Sequence, residues 1–240
     1  MTDNNRRTLV FLPTYNDREL LMSLTAGVHA LGQNFQALVI DDGSQHPIRK
    51  HEIAPNTLLV RVPANFGLGM ATHIAFDHAL LHDYAAIVRV DSDGQHPVEM
   101  LPDLVSPIFD GTADIVVGER TNRDERTGLR ELVSRMVRGY LSSIAYAMTK
   151  GQAPSDVNSG FFAANIKAAK KLNAYDLDRF PEPQMYVLAP RNGLVASGLK
   201  IEQAERQHGN SKVTLGHAVR LFYRFNIFIL AELLQRSGIR

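Results

Sequence analysis

The stretch Ala86-Ile-Val-Arg-Val-Asp-Ser-Asp-Gly-Gln-His-Pro97 decides how the rest of the chain is interpreted. Its first half is apolar and predicts a short buried strand, which ends in two carboxylates, Asp91 and Asp93. At a strand end this spacing lets both carboxylates approach one hard cation, and Gln95 can add a carbonyl oxygen. Ligand sets made only of oxygen suit Mg²⁺ or Mn²⁺ rather than Zn²⁺. The alternative is a polar turn that leads into a helix, with Pro97 in its first turn.

Composition limits the class of protein. The chain has 240 residues, of which 45% are hydrophobic, enough for one α/β domain with a substantial core. Its formal net charge is +1, so we expect no nucleic-acid partner. The absence of cysteine excludes disulfides, thiolate metal sites and cysteine nucleophiles. No apolar window reaches the roughly 18 residues of a membrane span, and the N-terminus lacks a signal-peptide pattern, so we expect a cytoplasmic protein.

Strands and helices alternate along the first half of the chain. Strands are predicted at 8–12, 35–40, 58–62, 87–90 and 114–117, with helices at 17–31, 71–81 and 98–109 between them. This alternation predicts an α/β fold with a mostly parallel central sheet flanked by helices. Ligands of such sheets collect at the carboxyl ends of the strands. We expect the polar and glycine-rich segments at these ends to form one site: Pro13, 41–44, 65–69 and 91–95.

Amphipathic helices dominate the second half. An apolar stripe between Leu129 and Met148 predicts a helix that packs against the sheet. A further helix is predicted at 184–191 and a strand at 197–204. Residues 214–236 predict one last helix, which either docks on the domain or a second subunit, or lies in a membrane interface. We therefore expect a domain at 1–212 and a C-terminal amphipathic helix at 213–240.

Five short motifs follow one another within residues 8–212. They are Pro13-Thr14-Tyr15-Asn16, Asp41-Asp42-Gly43-Ser44, Asn65-x-Gly67-x-Gly69, Asp91-Ser92-Asp93-Gly94-Gln95-His96-Pro97 and Arg206-x-x-Gly209-x-Ser211-Lys212. Together they resemble glycosyltransferase family 2, and the last two resemble its polyprenyl-phosphate branch, which includes the dolichyl-phosphate mannose synthases. The resemblance implies a GT-A fold with a Rossmann-like sheet. It also implies an inverting transfer of a sugar from a GDP- or UDP-sugar.

The resemblance further implies the residues of the donor site. Pro13, Tyr15, Asp17, Asp42, Gly67, Asp91 and Ser92 would contact the nucleotide, and Asp91, Asp93 and Gln95 would hold Mg²⁺ or Mn²⁺ on its diphosphate. Asp17 departs from the pattern, because family members usually have the longer Glu here. Gly67 suits a loop that approaches a ligand closely, although a tight turn explains it equally. Asp93 and the phosphate-facing Arg206 count as catalytic, because charge develops on the leaving diphosphate.

The sequence leaves two classes of acceptor open, a lipid phosphate and a hydroxyl group. A lipid phosphate is already an anion and needs cationic residues rather than a general base. By resemblance its site would contain Arg120, Arg130, Asp156, Ser211 and Lys212, although Glu119 departs from the Ser-Arg-Tyr of the branch. A hydroxyl acceptor would need a carboxylate base, for which Glu182 is the candidate unless it is an exposed turn acid.

The leading interpretation is a metal-dependent enzyme that loads a sugar onto a polyprenyl phosphate, peripheral to the inner face of the cell membrane. The alternatives are transfer to a saccharide hydroxyl in cell-surface polysaccharide assembly, and a non-catalytic nucleotide-sugar binding subunit with a membrane partner. A homodimer through the C-terminal helix is also open. A sugar nucleotidyltransferase is disfavoured, because Thr14-Tyr15-Asn16 stands where its glycine-rich phosphate loop is expected.

Overall fold

A computed structural model describes residues 6–121, 129–202 and 215–236, without the side chains of 129–131, 134, 215–219 and 235–236. Its strands are β1 (Thr8–Thr14), β2 (Phe35–Asp41), β3 (Leu58–Arg61), β4 (Ala86–Arg89), β5 (Ile115–Arg120), β6 (Phe162–Asn165) and β7 (Ala196–Ile201). Its α-helices are α1 (Leu21–Ala30), α2 (Leu68–Leu81), α3 (Leu101–Phe109), α4 (Leu129–Thr149), α5 (Ile166–Leu172), α6 (Glu182–Arg191) and α7 (Leu215–Arg236).

The strands form one sheet in the order β3-β2-β1-β4-β6-β5-β7. Neighbouring strands are parallel except at β6, which runs antiparallel to both β4 and β5. One face of the sheet shares a core with α2 and α4 to α7, and the other shares a core with α1 and α3. The predicted α/β fold with a mostly parallel sheet and flanking helices is confirmed.

The order of the strands places a ligand crevice beside β1. The chain winds from β1 through β2 and β3 on one side of β1, and then crosses to β4 on the other side. In open α/β sheets, ligands bind where the winding reverses, outside the carboxyl ends of the strands. Thr14 ends β1 and Asp91 follows β4, so two of the motifs meet at this crevice.

The prediction that the first strand stops at Pro13 is wrong, because β1 continues to Thr14. The carbonyl oxygen of Phe11 accepts a hydrogen bond from the Val90 N–H, so Pro13, two residues on, faces the same side of β1. β4 pairs with β1 only as far as Phe11. The missing N–H of proline therefore removes no hydrogen bond of the sheet.

No sequence pattern indicates β6 or α5. The strand Phe-Ala-Ala-Asn has little intrinsic preference for extended structure. It is a strand because Ala163 pairs with Val88 on one side and with Val116 on the other. Asn165 then begins α5 by accepting the N–H of Ala168 at 2.8 Å through its side chain, as helix N-caps do.

The two long helices pack on the same side of the sheet. α4 contacts α6 and α7, and its Leu141 and Ala145 are buried in the core that this face of the sheet shares, as the apolar stripe predicts. α7 docks its inner face on the domain: Phe225 is buried, and Asn226 accepts a hydrogen bond from Tyr140 of α4 at 2.6 Å. Glu232 of α7 pairs with Arg191 of α6 at 2.8 Å. Within the described residues, no helix has the length and apolar character needed to cross a membrane.

The start of α2 is pressed against residues 177–179. A Cβ at Gly69 would overlap the carbonyl oxygens of Leu177 and Asp178, and one at Gly67 would overlap the side chain of Arg179. Gly67 also has a φ of +94°, which disfavours other residues. These glycines therefore make room for protein, and a nucleotide contact of Gly67 stays a prediction.

We predict that Gly69→Ala lowers the free energy of unfolding by about 1–3 kcal/mol, because the added methyl group meets backbone that cannot easily move. The matched control is Gly139→Ala in α4, where a Cβ would have no atom within 4 Å. That change should raise the free energy of unfolding by about 0.5–1 kcal/mol through helix propensity. Urea unfolding followed by circular dichroism measures both, and equal responses would contradict the packing.

Candidate active site

The loop after β4 carries the two predicted metal ligands. The N–H of Asp91 donates to Nδ1 of His96 at 2.9 Å, and Asp93 Oδ1 accepts the N–H of Gln95 at 3.1 Å. Ser92 is buried, whereas Asp91 and Asp93 are partly exposed. Burial lowers the pKa of His96, although Asp91 and Asp93 act in the opposite direction, and a neutral ring can accept the Asp91 N–H. The loop therefore holds both carboxylates at the crevice and also forms the predicted turn into a helix.

A buried arginine lies behind the first of these carboxylates. Arg89, the last residue of β4, has a side chain that is only 2% exposed. Its Nε and Nη2 contact Asp91 Oδ1 at 2.9 and 2.8 Å, and its Nη1 donates to Glu182 Oε1. Burial acts to lower the pKa of Arg89, but Asp91 and Glu182 outweigh it and raise the pKa, so the guanidinium stays charged. The sequence signal is a charge inside the apolar run 87–90, although no motif singles it out.

Glu182 is not an exposed turn acid, so that alternative is wrong. It is buried and is the first residue of α6, which begins two residues before the predicted helix 184–191. Pro181 and Pro183 flank it at the helix start, where proline is tolerated. The ion pair with Arg89 engages the carboxylate that the sequence offers as a general base.

Asp41 organises the turn after β2. Its carboxylate accepts the N–H of Ser44 at 2.9 Å, the N–H of Ile48 at 3.2 Å and Nη1 of Arg61 at 2.8 Å. Burial would raise the pKa of Asp41, but these hydrogen bonds and the charge of Arg61 hold the pKa below its ordinary value. Asp41 therefore remains a carboxylate and fixes the turn beside the crevice.

Asp42 braces the third motif. Its Oδ1 accepts the N–H of Phe66 at 2.9 Å, and its Oδ2 accepts the N–H of Gly67 and Nδ2 of Asn65, each at 2.8 Å. Both oxygens of the carboxylate thus contact the neighbouring loop. A contact between Asp42 and a nucleoside stays a prediction.

The loop after β1 is tied to the same turn. The N–H of Asn16 donates to Ser44 Oγ at 3.0 Å, and the N–H of Gln45 donates to Asn16 Oδ1 at 2.8 Å. Thr14 Oγ1 donates to the carbonyl oxygen of Asp17, and the helix predicted from residue 17 begins only at Leu21. Pro13 is buried, and the Tyr15 side chain is 37% exposed at this edge. The structure thus brings Pro13, Tyr15, Asp17 and Asp42 to the edge that holds Asp91 and Asp93.

A second cluster lies at the end of β5. Arg120 Nε and Nη2 contact the two carboxylate oxygens of Asp156 at 2.6 and 2.9 Å. Ser159 Oγ donates to the Gly118 carbonyl at 2.6 Å, and Asn158 Oδ1 is buried without a hydrogen-bond partner in the described structure. Two predicted acceptor residues, Arg120 and Asp156, are therefore in contact.

The other predicted acceptor and phosphate residues are outside the described structure. Arg206, Ser211 and Lys212 lie in residues 203–214, and the side chain of Arg130 is also not described. Glu119, the acid that departs from the branch pattern, accepts the N–H of Ser155 at 2.8 Å. It is thus tied to the same loop that carries Asp156.

The donor set fits a hard divalent cation. In the ranges that the structure covers, no three His, Cys, Asp or Glu side chains form a complete metal site. A cation that also binds substrate phosphates needs only one or two protein carboxylates. Asp91 and Asp93 supply them at the crevice, and the donors are oxygen atoms, as Mg²⁺ and Mn²⁺ prefer.

Comparison with known proteins gives one family match and several relatives. The model described as Glycosyl transferase family 2 matches residues 9–172. Polyprenol monophosphomannose synthase of Mycolicibacterium smegmatis is 37% identical over 123 residues, which are 48% of this chain and 45% of that protein. Undecaprenyl-phosphate 4-deoxy-4-formamido-L-arabinose transferase of Enterobacter sp. is 27% identical over 230 residues, 89% of this chain and 64% of that protein. The chain spans less than two thirds of the length of either relative.

A solved structure with a similar fold is glucosyl-3-phosphoglycerate synthase from Mycobacterium tuberculosis in complex with Mn²⁺, UDP and phosphoglyceric acid. It superposes with a TM-score of 0.69 at 22% sequence identity, and the match covers 98% of this chain and 80% of that one. At this identity the likeness bears on the fold alone. It confirms the predicted GT-A architecture.

Proposed function

The chain belongs to glycosyl transferase family 2, and we propose that this glycosyltransferase moves a sugar, with inversion, from a GDP- or UDP-sugar to a polyprenyl phosphate. The observation that carries the choice of acceptor is the buried ion pair of Arg89 with Glu182. A hydroxyl acceptor needs a carboxylate that is ready to take its proton. A phosphate acceptor carries no such proton, so the engagement of Glu182 favours the phosphate.

The donor is proposed to bind at the carboxyl ends of β1, β2 and β4. Its nucleotide would contact Pro13, Tyr15, Asp17, Asp42, Gly67, Asp91 and Ser92, and Asp91, Asp93 and Gln95 would hold Mg²⁺ or Mn²⁺. When bound, the cation would neutralise charge on the leaving diphosphate. The N–H of Asp91 donates to His96 Nδ1 at 2.9 Å, so the loop that carries both carboxylates is held by a hydrogen bond of its own. The neighbour crystallised with Mn²⁺ and UDP shares this fold, in keeping with a nucleotide-sugar donor.

The acceptor is proposed to approach from the end of β5. One of its phosphate oxygens would attack the anomeric carbon, and the bond from that carbon to the nucleoside diphosphate would break with its electron pair on the diphosphate. Arg120, which Asp156 holds in place, would contact the phosphate, and Arg130, Ser211 and Lys212 would complete the site. The two relatives described above are named for polyprenyl substrates, which supports this class of acceptor.

A lipid acceptor requires contact with a membrane, and the outer face of α7 and α4 is suited to it. Large apolar side chains are exposed there: Phe222, Tyr223, Ile227, Leu230, Leu233 and Leu234 on α7, and Leu132 and Met136 on α4. Arg220 and Arg224 are exposed on α7, and Arg224 Nε also pairs with Asp178 Oδ2 at 2.5 Å. The one carboxylate in the sequence of α7, Glu232, is buried against Arg191. An apolar face flanked by cations matches an anionic lipid surface. We therefore propose that the protein is peripheral to the inner face of the cell membrane, and that the C-terminal segment 213–240 contributes to this contact together with α4 of the 1–212 domain.

We predict that Mn²⁺ together with UDP or GDP stabilises the wild-type protein, and that Asp93→Ala abolishes this effect. A ligand at 100 times its dissociation constant adds about 2.7 kcal/mol to the free energy of unfolding, which a thermal-shift assay detects. Asp103→Ala, which removes an exposed carboxylate of α3, is the control and should respond as wild type does. No shift with either nucleotide would refute the donor site.

The acceptor is tested with a water-soluble short-chain prenyl phosphate and with a saccharide. Glu182→Gln should lower transfer to the prenyl phosphate by less than about tenfold, whereas loss of a general base costs about 100- to 10,000-fold. Gln keeps an oxygen for the Arg89 guanidinium, so the fold of the site should survive. If the wild-type protein transfers sugar only to the saccharide, and Glu182→Gln abolishes that transfer, then the acceptor is a hydroxyl group and the proposed lipid phosphate is wrong.

Membrane contact is tested by sedimentation with vesicles of phosphatidylglycerol and phosphatidylcholine. Leu230→Asp should weaken vesicle binding by about tenfold or more, because one buried leucine contributes about 1.5–3 kcal/mol. Leu81→Asp is the matched control, since Leu81 is 77% exposed on α2 and lies outside the α7 and α4 face. Unchanged vesicle binding by Leu230→Asp, or a dimer that this substitution dissociates, would contradict the proposal.

A further inference from the structure

The buried arginine behind the metal-binding loop is held in one position. Three of its nitrogen atoms are engaged, two by Asp91 Oδ1 and one by Glu182. Above it lies Gly160, where a Cβ would come within 2.9 Å of Arg89 Nη2 and 3.1 Å of Asp91 Oδ2. The backbone of this loop therefore covers the ion pair and leaves no space for a side chain over it.

The carboxylates around Arg89 explain why a positively charged side chain is needed at this position. Asp91, Asp93 and Glu182 bring three negative charges to one side of the crevice, and like charges at short range disfavour one another. The guanidinium of Arg89 offsets one of these negative charges. Its contacts to Asp91 use Oδ1, so they also fix the orientation of the carboxylate plane.

We propose that Arg89 is a positioning residue for the donor site. It orients Asp91 for the metal–diphosphate complex, and it ties that carboxylate to the start of α6 through Glu182. This inference rests on the proposed function, because it requires Asp91 to hold the cation. It adds a residue that belongs to none of the five motifs.

The decisive variant combines Arg89→Met with Glu182→Gln. Arg89→Met alone would leave Glu182 buried without its partner, and such a protein can fail to fold. The matched control combines Arg191→Met with Glu232→Gln. That pair is also an Arg–Glu pair, has an N–O distance of 2.8 Å, and lies at the other end of α6.

The readout is a Mn²⁺ titration at saturating UDP or GDP, with binding measured by titration calorimetry. The Arg89 double variant should need about 10- to 100-fold more Mn²⁺ for half saturation, the usual effect of losing a group that orients a metal ligand. The Arg191 double variant should stay within about twofold of wild type, because it is remote from the loop. Arg89→Lys keeps the charge but not the planar fork, and should lie between wild type and the double variant.

Three outcomes are distinguishable. If wild type binds neither nucleotide with Mn²⁺, the proposed donor site and this inference both fail. If wild type binds and the folded Arg89 double variant has the same Mn²⁺ dependence, Arg89 serves stability alone and the inference is overturned while the donor site stands. Equal losses in both double variants would also overturn it, because loosening of α6 would then be the cause.

Discussion

The candidate active site depends on the buried guanidinium of Arg89, which lies between the carboxylates of Asp91 and Glu182. Removing a single partner from a buried ion pair typically costs about 3–5 kcal/mol, so the Arg89 guanidinium constrains every element that meets it. It joins the end of β4 to the start of α6 and sits beneath the loop at Gly160. The loop that carries Asp91, the candidate base Glu182 and the loop at Gly160 are therefore parts of one packed unit.

The rest of the crevice is braced by carboxylates that accept backbone N–H groups. Asp41 closes its own turn, and Asp42 reaches the loop at Phe66 and Gly67. Hydrogen bonds to ionised acceptors are stronger than neutral ones, so these loops are held without a ligand. Both adjacent acids therefore hold loops at this edge of the sheet, Asp41 within its own turn and Asp42 across to the loop at 65–67.

The fold and the position of the paired carboxylates could be predicted because they depend on local patterns. An apolar run followed by Asp91 and Asp93 is visible without knowledge of the neighbours. β6 could not be predicted, because an Ala-rich segment becomes a strand only between β4 and β5. Arg89 was missed as a site residue for the same reason, since its partner Glu182 is distant in the chain and looked like part of an exposed turn. Long-range pairing, in both cases, overrides what the local sequence indicates.

The reversed direction of β6 has a geometric consequence for loops. In a purely parallel sheet, one edge receives only the segments that leave strands, and the segments that enter strands lie at the far edge. Because β6 is antiparallel, its first residue, Phe162, pairs with Arg89 at the end of β4. The entering segment 156–160 thus shares an edge with the departing segment 91–95. One reversed strand therefore brings an entering and a departing segment to the same edge of the sheet, and each can change in length without altering the register of the other.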